Sequence, residues 1–284
     1  DHFDCYDSLS DLEDAFARFA RRVPPDGLIL AADDCPVTRR VVANVPCRVE
    51  TFGLDRQADW SARRLSSRHG QYCFEICRLG QAVCDVSLPV PGRHNVLNAL
   101  AAGALAWHNG VTWERIGRSL ACFPGLRRRF ERLADGRGAL LIDDYAHHPT
   151  EVIATLRTVR QVAPRRRVWC VFQPHQTSRT ERLLDELAAA LHNADKVLVA
   201  EIFRAREGPP RSGGVTAADL AQRIRLGGTD VAGVHGDDEI VRHLQTHLRP
   251  DDVLITMGAG DIRKIAERLR GHSHESRMEE YRAA

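Results

Sequence analysis

The sequence predicts an α/β protein in two parts: a first segment of mixed strands and helices, then a doubly wound, mostly parallel, Rossmann-like domain. Three observations carry this expectation. From Ala139 onward, short apolar runs alternate strictly with helical stretches, the rhythm of a parallel sheet covered by helices on both faces. Between Trp60 and Val90 the chain instead alternates apolar and polar residues in successive short segments, which reads as antiparallel strands. Pro124-Gly125 separates the two regimes, and such a pair punctuates rather than continues an element.

The elements follow in order. Ser10-Asp11-Leu12-Glu13 fits a capping box opening a helix, with Leu12, Phe16, Phe19 and Val23 at helical spacing. Leu28 to Ala32 reads as a buried strand, a short helix follows Pro36, and CRVETFG is the next strand before the antiparallel set. The turn Pro91-Gly92 leads into an Ala- and Leu-rich helix, His94 to Asn109, and Thr112 is placed to cap a second helix reaching about Cys122. Then come strand ALLID, a helix from Pro149, strand VWCVFQ, a helix from Ser178, strand KVLVA and a helix from Thr216. Strand DVAGVH, a helix from Asp237, strand DVLITM and a helix from Asp261 complete the series. The expected domains are residues 1–122 and 123–271, with a polar tail at 272–284.

Composition narrows the function classes. With 284 residues and 43% hydrophobic content, the chain can bury a core without staples. Formal net charge is +2, with acids and bases interspersed, so nothing marks it as a binder of nucleic acid or anionic membrane. No apolar run approaches the length of a membrane span, and membrane insertion is not expected. Eight cysteines without a secretory leader read as reduced thiols in a cytoplasmic protein. Cys73, Cys77 and Cys84 fit no paired Cys-x-x-Cys zinc spacing and sit in what reads as a hairpin. The opening DHFDCYDS lacks an initiator Met, a charged leader and a preceding strand, so the sequence is expected to begin inside a larger protein.

Open sheets of this type bind ligands at the carboxyl ends of their strands, and those ends are rich in titratable residues here. ALLIDDYAHHPTE sets Asp143, Asp144, Tyr145, His147 and His148 after a strand, with Glu151 in the first turn of the next helix. Such a cluster can serve sugar hydroxyls, a metal or a nucleophile's proton, or be an acidic turn in which Asp caps the helix. VFQPHQTSRT repeats the arrangement with Gln173, His175, Thr177 and Arg179. The planar fork of Arg179 suits a small carboxylate, although it could equally be a solvated first turn. Asn95 and Asn98, three residues apart at a helix start, can present two amides to the edge of a planar base, or Asn95 can be a cap. Arg127, Arg128 and Arg129 gather near the domain joint, where one could reach phosphate.

Taken together, GRHN-x-x-NA, RRF, DDY-x-HHPTE, FQPH-x-x-x-RT and GAGDI-x-KIA resemble the Mur ligase family in order and spacing. DDY-x-HHPTE with FQPH resembles the member that joins L-alanine to UDP-N-acetylmuramate. The likeness runs to about residue 270. It implies the tail part of a central ATPase domain followed by a C-terminal amino-acid-binding domain. No G-x-x-x-x-G-K-[ST] phosphate loop occurs in the sequence, so this chain is expected to be inactive alone.

The resemblance implies roles by position. Asn95 and Asn98 would contact adenine, Asp144 the ATP ribose, and Arg129 the terminal phosphate. Tyr145 and His147 would lie near the incoming amine, His147 and Arg129 being the catalytic pair. His175 and Arg179 would hold the amino acid's carboxylate, and His2 a magnesium ion. ATP would activate the muramyl carboxylate to an acyl phosphate for attack by L-alanine. Three positions depart from the family pattern: Gln176 replaces a basic residue, and Arg127 and Arg263 replace glycines, to crowd a turn or point outward. A recycling ligase that attaches a whole murein tripeptide shares the double-histidine turn but is expected to differ at FQPHQTSRT. Folate polyglutamate and cyanophycin-type ligases should lack the two histidines. A non-catalytic ligase-like binding module is the alternative outside catalysis.

Overall fold

The computed structural model describes residues 5–55, 57–136, 138–208 and 213–270; His2 and the tail at 272–284 lie outside them. The chain divides into two compact units that part between Pro124 and Gly125.

The first unit opens with α1 (Leu9–Ala20). Its cap is Ser8, not Ser10: Ser8 Oγ accepts from Asp11 N at 3.2 Å and donates to the Asp11 carboxylate at 2.7 Å. Ser10 and Glu13 already lie inside the helix, and Glu13 is engaged by Arg40 at 2.9 Å. That contact turns the Glu13 side of α1 toward α2 (Pro36–Val42), leaving Phe16 and Phe19, expected on the buried stripe, exposed. A five-stranded sheet runs in the order β1 (Leu28–Ala32), β2 (Arg48–Gly53), β3 (Trp60–Arg68), β4 (Gln71–Arg78), β5 (Gln81–Leu88). β1, β2 and β3 pair in parallel, and β3, β4 and β5 form the expected antiparallel set. Cys73, Cys77 and Cys84 belong to the β4–β5 hairpin, and no metal-ligand group forms among the described residues.

Gly92 ends the sheet with φ +102, and a Cβ there would lie 2.4 Å from the His94 ring, so only glycine makes this turn into α3 (Arg93–His108). Val96, Ala99, Leu100 and Ala104 of α3 pack on Trp60, Phe74 and Ile76. α4 (Trp113–Ala121) follows Thr112, which occupies the cap position without a side-chain cap bond.

The second unit is the doubly wound domain. Its sheet runs β10 (Asp230–His235), β9 (Lys196–Ala200), β8 (Val168–Phe172), β11 (Val253–Met257), β7 (Ala139–Asp144), β6 (Glu131–Gly136). All neighbours are parallel except β6, which is antiparallel to β7. Strands β8 and β11 are buried along their whole length, which is why they read as continuous apolar runs. One face is covered by α5 (Pro149–Val162), α7 (Leu184–Leu191) and α8 (Ala217–Leu226) around Leu156, Phe172 and Leu187. The other carries α9 (Asp237–His247) and helical residues 263–270 on Leu141, Trp169 and Leu254. The short α6 (Thr177–Arg182) leads into α7. Chain leaving β7 and β8 therefore turns to one face, while chain leaving β11 between them turns to the other. A crevice opens at such a point.

Candidate functional site

Four strand ends build the site in the second unit. At the end of β7, Asp143 is fully buried. Its Oδ1 accepts from Thr256 Oγ1 at 2.7 Å, and its Oδ2 from Arg128 Nε at 3.3 Å. Arg128 Nη2 also donates to the Gly258 carbonyl at 2.6 Å, tying β7 to the β11 turn. Arg263 joins this group: Nη2 reaches Glu131 Oε1 at 3.1 Å, and Nη1 lies 3.5 Å from Asp143 Oδ2. It neither crowds a turn nor points outward, whereas Arg127 is exposed.

Asp144 is also buried. Its two oxygens accept from Phe130 N and Ala146 N, both at 2.8 Å, and burial pushes its pKa up against those two bonds. This carboxylate holds the RRF loop to the turn, so a sugar hydroxyl would have only its remaining lone pairs to use. Arg129 is exposed, 3.5 Å from Glu151 Oε1, and its guanidinium lies 5.3 Å from the Tyr145 ring centre. Arg128 lies 4.9 Å from the same ring.

The two adjacent histidines do different work. His148, not an aspartate, caps α5: its Nδ1 accepts from Thr150 N at 3.4 Å. Glu151 completes the box by accepting from His147 N at 3.0 Å and His148 N at 3.2 Å. Burial opposes that carboxylate's charge, but the His147 N–H, the nearby imidazole and Arg129 hold its pKa below the usual range. Burial lowers the pKa of both His147 and His148. His147 Nδ1 lies 3.0 Å from the Tyr145 carbonyl; because a carbonyl only accepts, the neutral ring carries its proton on Nδ1 and is an acceptor at Nε2.

At the end of β8 the polarity reverses. Arg179, buried on α6, donates from Nη1 to His175 Nδ1 at 2.7 Å. A guanidinium has only donors, so His175 carries its proton on Nε2 and donates there. The two imidazole centres are 5.5 Å apart. The β8–α6 turn passes through Gln176 at φ +66, an uncommon conformation fixed by Gln176 N to Phe203 O at 2.8 Å and Thr180 N to Gln176 O at 3.0 Å.

The motifs left out two residues that follow β9. Phe203 stacks on His175 with ring centres 5.8 Å apart and planes 19° from parallel. Glu207 accepts from Ser178 N at 3.1 Å and from Thr177 N at 2.5 Å. At the β11 end, Gly258 has φ +150, and a Cβ there would meet Gln173 O at 2.7 Å; both facts exclude a side chain.

Asn95 and Asn98 belong to the first unit and are adjacent at the start of α3. Asn95 Nδ2 donates to Pro91 O at 2.6 Å, and Asn98 Nδ2 to Asn95 Oδ1 at 3.3 Å. Asn98 is exposed, and its carboxamide oxygen can accept from an amine. His2 lies outside the described residues, among which no three metal-ligating side chains gather. No helix among them is long and apolar enough to cross a membrane.

Residues 1–106 match the family described as Mur ligase middle domain, and residues 128–260 the one described as Mur ligase, glutamate ligase domain. A UDP-N-acetylmuramate–L-alanine ligase of Chlorobium chlorochromatii is 39% identical over 271 residues, 95% of this chain and 58% of that protein. The crystal structure of UDP-N-acetylmuramate-alanine ligase MurC from Thermotoga maritima superposes with TM-score 0.76 at 25% identity, covering 97% of this chain and 58% of that one. A murein peptide ligase from Psychrobacter arcticus gives 0.67 at 25% identity, over 93% and 55%. The chain thus spans less than two thirds of the proteins it matches, and over that span it belongs to the Mur ligase family.

Proposed function

We propose that this chain is the part of a UDP-N-acetylmuramate:L-alanine ligase that receives the amino acid and carries residues for ATP, working in the cytoplasm on peptidoglycan precursors. The observation that carries the reading is the pair of oppositely polarised imidazoles. A free amino acid is a zwitterion, and His175 Nε2–H can donate to its carboxylate while His147 Nε2 accepts from its ammonium. Arg179 locks the first tautomer and adds positive charge beside the carboxylate.

The reaction this serves has two steps. The lactyl carboxylate of UDP-N-acetylmuramate takes the terminal phosphoryl group of ATP, releasing ADP and leaving an acyl phosphate. The amine of L-alanine then attacks the acyl carbon, the amide C–N bond forms, and the C–O bond to phosphate breaks. The ammonium must first lose a proton, and His147, neutral because it is buried, is the acceptor in reach. Arg129, exposed over Tyr145, is the cation available to the phosphoryl oxygens. Asn95 and Asn98 fit a planar base at one edge, with Asn98 the exposed partner. Magnesium is expected from the family, and among the described residues no group of metal-ligating side chains assembles for it.

In a protein carrying this chain together with a phosphate loop, phosphate release should require both UDP-N-acetylmuramate and L-alanine. His175→Ala and Arg179→Ala should each raise the KM for L-alanine at least tenfold, since truncating one partner of a buried charged hydrogen bond costs about 2–5 kcal/mol. The KM for ATP should stay within twofold. Equal changes in both constants would reject the carboxylate assignment, and release that responds to a murein tripeptide but not to L-alanine would favour the recycling ligase.

A further inference from the structure

We propose that Phe203 is the specificity-determining wall of the amino-acid site, limiting the substrate side chain to about the size of a methyl group. The inference rests on the ligase reading above and concerns the same crevice between β8 and β11. Two independent features mark that crevice as a place for ligand. Gln173, which follows β8 and packs its Oε1 under Gly260, is 6% exposed and donates Nε2 to Asp261 at 3.1 Å. Its Oε1 is buried with no hydrogen-bond partner among the described residues, and a buried acceptor left unmade is costly unless something occupies it at another stage. The second feature is the switch in chain direction, with β8 turning to one face and β11 to the other.

Phe203 closes one side of this space and is not free to move as an exposed side chain would be. Its backbone is held at both ends, Phe203 N to Pro174 O and Gln176 N to Phe203 O, each at 2.8 Å. Its ring lies along His175 and reaches over the β11 turn, where a Cβ on Gly260 would come within 2.6 Å of Phe203 Cγ. The ring therefore spans from the imidazole that would hold the carboxylate to the glycine turn opposite. An amino acid bound by His175 and His147 has its α-carbon beside the His175 ring, so a side chain leaving on the crevice side meets Phe203. A methyl group fits such a wall by contact; added methylenes must displace a ring that stacks on His175 from a backbone held by two hydrogen bonds.

The test measures kcat/KM for L-alanine, L-2-aminobutyrate and L-valine in a protein that carries this chain and a phosphate loop, for Phe203, Phe203→Leu and Phe203→Ala. Each substitution should raise the ratio for the larger amino acids over L-alanine by about tenfold or more, the discrimination a methylene carries in a pocket, with Phe203→Ala giving the larger change. The KM for ATP should not move. Ratios unchanged within twofold while L-alanine is still ligated would overturn the proposal and leave the ligase reading intact. Uniform loss with all three amino acids in both variants would also overturn it, because a merely structural ring has no preference among them. A parent protein that uses none of the three would instead reject the ligase reading itself.

Discussion

His147 and His148 are neighbours in sequence, yet the backbone divides their roles: His148 faces back onto α5 as its cap, and His147 is turned toward His175 across the strand ends. Burial lowers the pKa of His147 from the ordinary value of 6.5, which keeps its accepting nitrogen unprotonated through neutral pH. If it takes the substrate's proton, the acid limb of kcat/KM for L-alanine falls below the ordinary histidine value of 6.5, and His147→Gln abolishes that limb together with most of the rate. A limb that survives the substitution unchanged would assign the titration to another group. The motifs brought Tyr145, His147, His175 and Arg179 to one place, since each lies within a few residues of a strand end. The resemblance singled out Arg129 but gave no place to Arg128, since only the fold shows that Arg128 turns in to Asp143 while Arg129 stays exposed. Phe203 and Glu207 were missed for a similar reason: they follow the strand KVLVA in a loop without a motif. The strand-end rule alone would have pointed there.

At the scale of elements, the strands and helices that carry an apolar run or period were legible, edge strands β1 and β10 included, and the edge strand β6 was not. β6, Glu131–Gly136, reads ERLADG, with no alternation; it is a strand because β7 offers it an edge, a tertiary cause. Helix α1 showed the reverse: its apolar spacing is real, but Phe16 and Phe19 are exposed and the Glu13–Arg40 pair decides which side meets α2. The α5 cap gives a test. Glu151 closes two backbone N–H groups at once, so Glu151→Ala should destabilise the second unit by about 1 kcal/mol, the usual worth of a cap. His148 has a pKa lowered by burial, so its stabilising neutral form is fully present above pH 6.5 and is lost as pH falls through the lowered value. His148→Asn, which caps without titrating, should therefore lose less stability than the parent between pH 7 and about 5 in urea titrations. Parallel losses in both proteins would remove His148 from the pH response.

At the scale of the whole chain, the two units have separate cores: Trp60, Phe74 and Leu100 in one, and the clusters around Phe172 and Trp169 on either face of the second sheet in the other. A unit with its own two-sided core can fold alone. Residues 125–284, expressed separately, should unfold in one cooperative urea transition. Trp169, the only tryptophan in that stretch, reports on it directly, being 1% exposed with Nε1 donating to buried Asp252 at 3.0 Å. A broad, non-cooperative loss of its fluorescence would mean that the core depends on residues before 125. Ligation is a different matter. The sequence has no phosphate-loop motif, and losing one preorganised donor to a transition-state oxyanion costs about 10²–10³ in rate, so the loss of a whole nest with its lysine should put turnover below detection. The chain by itself should therefore fold yet release no phosphate from ATP with UDP-N-acetylmuramate, L-alanine and magnesium. The same chain joined to a phosphate loop should release it only when both other substrates are present. Substrate-dependent release by the unextended chain at a comparable rate would show that its own residues bind and activate the phosphates.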